Sequence, residues 1–145
     1  KMGALAAGLF LIPLADQALK LVLRRRLGPR SVPLGPVGGL GMLKARIWLA
    51  RRGGRPNLRG MWALWLLAAV AVTLLSALVP SCGWFAGLLL GGSLSHGLES
   101  SARGGVSDYV CLRFWPAFNL ADVAITLGAI GIPLTMFMAV KDLWS

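Results

Sequence analysis

The chain has 145 residues, enough for one domain, and is 57% hydrophobic and only 14% charged, with a mean hydropathy of +0.72. That composition excludes an ordinary water-soluble globule. A net charge of +10 would suggest nucleic acid in a soluble chain; in so apolar a sequence it reads as contact with anionic lipid headgroups, with no nucleic-acid partner.

A helix needs about 20 apolar residues to cross the hydrocarbon core of a bilayer. Four stretches qualify, at about 3–23, 61–79, 84–101 and 120–140. The expected fold is an all-α membrane protein, one membrane domain of four transmembrane helices. The first stretch is too long for a signal-peptide core and lacks a convincing small-residue cleavage site, so it reads as a retained span. It carries Asp16, Gln17 and Lys20 in PLADQALKLVL. Asp16 and Lys20 lie four apart on one helical face and can pair. Such a pair either ties the span to its neighbours or borders a polar site and positions its acids.

Residues 24–60 form a basic loop holding ten of the fifteen Lys and Arg residues, among them Arg24, Arg25, Arg26, Arg51 and Arg52. Its glycine and proline turn signals surround a short apolar patch, Ile47–Trp48–Leu49. The expectation is a small sheet or an interfacial helix lying on headgroups. The second span is uniformly apolar with tryptophans at one end, as in an interface belt, and carries no chemistry. Pro80 to Gly83 is a short turn, which makes spans two and three antiparallel neighbours. The loops after spans one and three then share one side of the membrane.

Span three ends in a polar stripe of His96, Glu99 and Arg103, which should face the bundle interior or water. Glu99 and Arg103, four apart, are expected to pair with each other. His96 is the only histidine, and no cysteine or carboxylate cluster joins it at ligand spacing, so no metal is expected. Cys82 and Cys111 sit at the edges of different spans. Gly104–Gly105 stops the helix, and Asp108 follows just beyond it in a polar bend. Phe114, Trp115 and Phe118 suit the membrane interface, and Pro116 shapes the return. Asn119 is placed to cap span four, with Asp122 in the first turn, where the helix dipole favours a carboxylate. The chain has only five acidic residues, and two of them meet at one membrane surface. Close carboxylates cannot both ionise cheaply; one keeps a proton while the other activates water.

These residues resemble the lipoprotein signal peptidase (signal peptidase II) family. Gly104–Gly105–Val106–Ser107–Asp108–Tyr109–Val110 is similar to its G-x-V-x-D-[FY]-[IV] segment, and Phe118–Asn119–Leu120–Ala121–Asp122 to its F-N-x-A-D. Asp16–Gln17 with Lys20 resembles its D-Q-x-x-K segment, and Gly91–Gly92 its glycine pair in span three. The resemblance implies a four-helix aspartyl endopeptidase of the bacterial inner membrane with Asp108 and Asp122 catalytic. Asn119, Arg103, His96, Asp16 and Lys20 would support the dyad or bind substrate. It implies no cofactor, and a prolipoprotein substrate cut immediately before a diacylglyceryl-modified cysteine. The chain departs from the family in carrying His96 where an Asn is usual and Glu99–Ser100 where an Asp-Arg pair is usual. The loop after span one has no N-x-G-x-[AS]-F element; its only asparagine is Asn57 in RPNLRG.

Those departures frame the alternative, a catalytically altered homologue that binds a lipid or a membrane-protein partner. A proton-relay subunit using Asp16, Glu99 and Asp122 would need acids along a path through the bilayer, whereas Asp108 and Asp122 sit at one end. The charge rule would put the basic loop and both aspartates in the cytoplasm. The resemblance puts them on the outer face, and that orientation is preferred.

Overall fold

The computed structural model describes residues 2–28, 30–45 and 57–144. The Ile47–Trp48–Leu49 patch and Arg51–Arg52 of the basic loop lie outside the described residues. Four helices dominate: α1 (Met2–Leu27), α2 (Leu58–Leu78), α3 (Gly83–Arg103) and α4 (Leu120–Trp144). Even the 21-residue helices reach about 31 Å at 1.5 Å per residue, enough to cross a bilayer core. Helices α1, α2 and α4 are apolar enough by composition to cross a membrane. The third is more polar because it runs among the others: it packs against all three. The protein is an all-α membrane protein with a small sheet at one end.

Close packing in the bundle follows from glycine. A Cβ added to Gly8 of α1 would sit 2.5 Å from the backbone of Gly87 in α3, and one on Gly87 would meet the Leu5 carbonyl at 2.6 Å. On the opposite flank of α3, a Cβ on Gly92 would meet the Ala121 carbonyl of α4 at 2.6 Å, and Gly128 of α4 lies as tightly on Phe85 and Leu89. Small residues let backbones touch where lipid supplies no hydrophobic drive between helices. In contrast, α2 buries only Ser76 and turns its leucines and valines outward, the surface expected against acyl chains. Its tryptophans face inward rather than serving only as an interface belt: Trp62 and Trp65 donate their indole N–H groups to Ser101 and Ser93 of α3, each at 3.0 Å.

A four-stranded antiparallel sheet of order β1-β2-β3-β4 covers one end of the bundle, with β1 at Val32–Pro33, β2 at Gly38–Ala45, β3 at Val106–Leu112 and β4 at Trp115–Phe118. Half of it comes from the basic loop, in line with the sheet alternative for that region. The other half replaces the expected polar bend after α3. Gly104 ends α3 in the left-handed conformation (φ 67°), as glycine permits, and the chain turns directly into β3. Leu43 of β2 pairs with Asp108 of β3, next to a register irregularity between Leu40 and Leu43. Asp108 is thus held on a strand, not on a free loop.

Candidate active site

The site forms where the sheet meets the ends of α1, α3 and α4. Four of the five acidic residues gather in this region, in two layers.

The inner layer is a buried ion network. Lys20 Nζ lies 2.7 Å from Asp16 Oδ2 and 2.8 Å from Glu99 Oε2, with all three side chains fully enclosed. Arg24 pairs with the other Glu99 oxygen and donates to Ser107 Oγ at 2.8 Å. Ser95 donates to Asp16 at 2.6 Å, Gln17 donates to Ser95 at 2.8 Å, and the Ser107 N–H reaches Glu99 at 3.2 Å. Two carboxylates thus face two cations, and no buried side-chain polar atom among the described residues lacks a partner. Charge balance with full hydrogen bonding is the condition under which buried ions are tolerated. The expected Asp16–Lys20 pair forms. The expected Glu99–Arg103 pair does not: Arg103 is exposed at the end of α3, without a hydrogen bond or ion pair among the described residues. Glu99 turns inward to Lys20 and Arg24. An acid enclosed by a bundle gains most from cations enclosed with it, and only α1 supplies them there.

The outer layer holds Asp108, Asn119, Asp122 and His96. Asn119 caps α4 as its position suggests, and the cap is reciprocal. The Asp122 N–H donates to Asn119 Oδ1 at 3.0 Å, and the Asn119 N–H donates to Asp122 Oδ2 at 2.9 Å. The carboxamide is fully buried, and its other end donates to Asp108 Oδ1 at 2.8 Å and to the Ser107 carbonyl at 3.2 Å. One residue therefore holds both carboxylates, that of Asp108 through its carboxamide and that of Asp122 through its backbone N–H. Asp122 Oδ1, free of the cap, lies 3.4 Å from His96 Nε2, which also approaches Asn119 Oδ1 at 3.2 Å. Tyr109, next along β3, accepts the Leu120 N–H at 2.8 Å and directs its hydroxyl toward Asp16 at 3.5 Å, joining the two layers.

The environment separates the outer groups. Burial raises the proton affinity of Asp108 above the usual carboxylate range, and the charge of Asp122 raises it further; Asn119, His96 and Lys20 oppose this without cancelling it. Burial likewise pushes the Tyr109 phenol up to about 12, so it stays a neutral hydrogen-bonding strut. Apolar grooves flank the pair. One of ≈ 360 Å³ runs between α2, α3 and α4, past Trp62, Trp65, His96 and Ile125. Another of ≈ 290 Å³ lies on the far side of Asp122, lined by Trp115, Phe118, Val123 and Leu127. No group of three or more His, Cys, Asp or Glu residues suited to a metal occurs among the described residues.

Ser95, Ser107, Tyr109 and Arg24 belong to the site and were not singled out from sequence as site residues. Serines and a tyrosine are too common at bundle and sheet surfaces to stand out. Arg24 was hidden within a basic run.

The family profile described as signal peptidase (SPase) II matches residues 9–138. The lipoprotein signal peptidase of Pseudomonas fluorescens is 37% identical, over 57% of this chain and 57% of that protein. That of Pseudomonas aeruginosa is 35% identical over 56% and 57%, and that of Xylella fastidiosa 36% identical over 52% and 53%. The chain thus spans a little over half the length of the curated relatives it matches. A solved structure described as a bacterial membrane enzyme, determined by the in meso method at 2.3 Å, superposes with a TM-score of 0.77 at 16% identity. It covers 97% of this chain and 91% of its own. A second, at 1.9 Å, gives 0.74 at 16% identity over 92% of each. With a family profile spanning most of its length and a shared fold, the chain belongs to the signal peptidase II family.

Proposed function

We propose that the protein is a membrane aspartyl endopeptidase that removes signal peptides from lipid-modified prolipoproteins in the bacterial inner membrane, with Asp108 and Asp122 catalytic. The observation that carries this reading is the grip of Asn119 on both carboxylates, with 2.8 Å to Asp108 and a reciprocal cap to Asp122. Groups held this way hold their geometry without reorganising during reaction. Burial, and after it the neighbouring Asp122 charge, raises the proton affinity of Asp108, which suits a pair that shares one proton.

The ionised aspartate takes a proton from water as its oxygen attacks the scissile carbonyl carbon. The protonated aspartate gives its proton to the carbonyl oxygen, forming a neutral gem-diol. On collapse the C–N bond breaks, the leaving nitrogen takes the proton held by the first aspartate, and a diol hydroxyl returns one to the second. The pair ends as it began. The flanking grooves suit apolar segments of a substrate anchored in the bilayer, and the basic surface around the site suits anionic headgroups.

The alternative of a binding subunit is not favoured, since it supplies no reason to hold two crowded carboxylates at a cost in charge repulsion. A relay is opposed by the locking of Asp16 and Glu99 onto Lys20 and Arg24. The test is cleavage of a diacylglyceryl-modified prolipoprotein by purified protein in detergent. Asp108→Asn and Asp122→Asn are each expected to lower kcat by at least about 10³-fold with folding intact. Wild-type rates in either variant would sink the reading.

A further inference from the structure

The inner ion network takes no part in the chemistry proposed above, yet it touches the strand that carries Asp108 on both sides of that residue. Side chains along a strand alternate between its two faces. In β3, Ser107 and Tyr109 are buried, and Asp108 between them is less enclosed. Both buried neighbours are tied to the inner layer, Ser107 through Glu99 and Arg24, and Tyr109 toward Asp16.

Every polar group of Ser107 is engaged. Its N–H donates to Glu99 Oε2 at 3.2 Å, and its Oγ accepts from Arg24 Nη2 at 2.8 Å. Its carbonyl accepts from Asn119 Nδ2 at 3.2 Å, and the same Nδ2 donates to Asp108 Oδ1 at 2.8 Å. A chain of hydrogen bonds thus runs from α1 to Asp108 by way of Arg24, Ser107 and Asn119.

Arg24 is placed for this by helical spacing. Asp16, Lys20 and Arg24 recur every four residues and share one stripe of α1, from which both cations reach Glu99 of α3. Lys20 is enclosed between two carboxylates, whereas Arg24, one turn nearer the sheet, also reaches β3. Arg25 and Arg26 beside it are exposed. A guanidinium carries five N–H donors in a rigid plane, so one group can grip a carboxylate and a hydroxyl together.

We infer that Arg24 and Ser107 are positioning residues for the aspartate pair. Arg24, anchored on Glu99, holds Ser107 and so sets where β3 presents Asp108 to Asn119 and Asp122. A misplacement of about 1 Å caused by a change away from the chemistry can cost about 10²-fold in rate. The role rests on the peptidase reading; the tie itself does not.

Ser107→Ala removes the hydroxyl alone. It leaves Glu99 with both cations, and because the Arg24 side chain is 21% exposed, the freed N–H meets water. Wild type, Ser107→Ala, Arg24→Gln and the double variant are compared in detergent by two readouts. One is cleavage of a diacylglyceryl-modified prolipoprotein, and the other is amide hydrogen exchange over β3. Ser107→Ala is expected to lower kcat by about tenfold with KM unchanged, and to speed exchange in β3 while α1 and α4 keep their protection. Arg24→Gln should act in the same direction by up to about 10²-fold, with the double variant no worse, since both act through one contact. Should Arg24→Gln fail to fold, Ser107→Ala decides alone. Wild-type kcat in Ser107→Ala, unchanged exchange in β3, or fully additive losses would overturn the inference. So would faster exchange throughout the bundle with kcat and KM impaired together, the mark of mere support for the fold. If the wild type cuts nothing while exchange in β3 still responds, the tie is supported and the peptidase reading falls.

Discussion

Asn119 holds both carboxylates, but by different groups: its amide nitrogen donates to Asp108 and its backbone N–H to Asp122, while its amide oxygen accepts the Asp122 backbone N–H. Helix capping and dyad alignment are therefore one structure, and the capping role of Asp122 does not compete with a catalytic one. Asp108 is the member that suffers. It holds its proton more tightly folded than unfolded, so its contribution favours the fold at pH below the usual carboxylate range and is lost as pH rises through its raised value. Asp108→Asn is thus expected to abolish cleavage yet raise thermal stability at pH 8 by about 2 °C, with the gain vanishing near pH 4. Melting the two proteins side by side across that range checks it. The aspartates and Asn119 were legible because carboxylates are scarce in so apolar a chain and each stands beside a helix-ending or helix-starting signal. The partners of Glu99 were not. Four-residue spacing to Arg103 predicts a pair on an isolated helix, but says nothing of cations arriving from α1.

The elements differ in what their sequences disclose. Long apolar runs announce α1, α2 and α4 directly, and the helices run on past them where polar residues continue the turn, at Arg24–Arg26 of α1, Arg59 of α2 and Lys141–Asp142 of α4. The sheet was only half visible. Strands β2 and β3 are separated by two whole helices, β2 is rich in glycine, and neither shows the clean alternation of a half-buried strand. The close approach of α1 to α3 depends on glycines whose role only contact reveals. Gly87→Val would press a branched side chain into the backbone at Leu5 and Ala4. It is expected to cost about 1–3 kcal/mol and to disturb the ion network as the helices separate. Gly3→Val, in open space on the same helix pair, should be near neutral. Unfolding in detergent by a calibrated denaturant series distinguishes the two.

At the scale of the whole molecule, charge is concentrated at the end that carries the sheet: Arg24, Arg25, Arg26, Arg59, Arg103 and Arg113 all lie at helix ends or turns there. Charge alone would turn this end to the cytoplasm; the proposed function needs it on the outer face. Cysteines at Arg113, exposed in the β3–β4 turn, and at Lys141, near the far end of α4, decide the matter in a Cys111→Ser background. A membrane-impermeant maleimide added to spheroplasts is expected to label Arg113→Cys at once and Lys141→Cys only after permeabilisation. The reverse pattern would remove the site from the side where its substrates are proposed to be cut.

The enclosed network of Asp16, Lys20, Glu99 and Arg24 also bears on how the protein is made. Helix α1 leaves the ribosome carrying an acid and a base that can meet each other, whereas the partner that completes their neutralisation arrives only with α3, two helices later. Until then Lys20 and Arg24 outnumber the single carboxylate beside them, and lone ions are poorly tolerated in hydrocarbon. Full neutralisation of the first helix therefore depends on the third. The finished network is an electrostatic match between segments synthesised at different times.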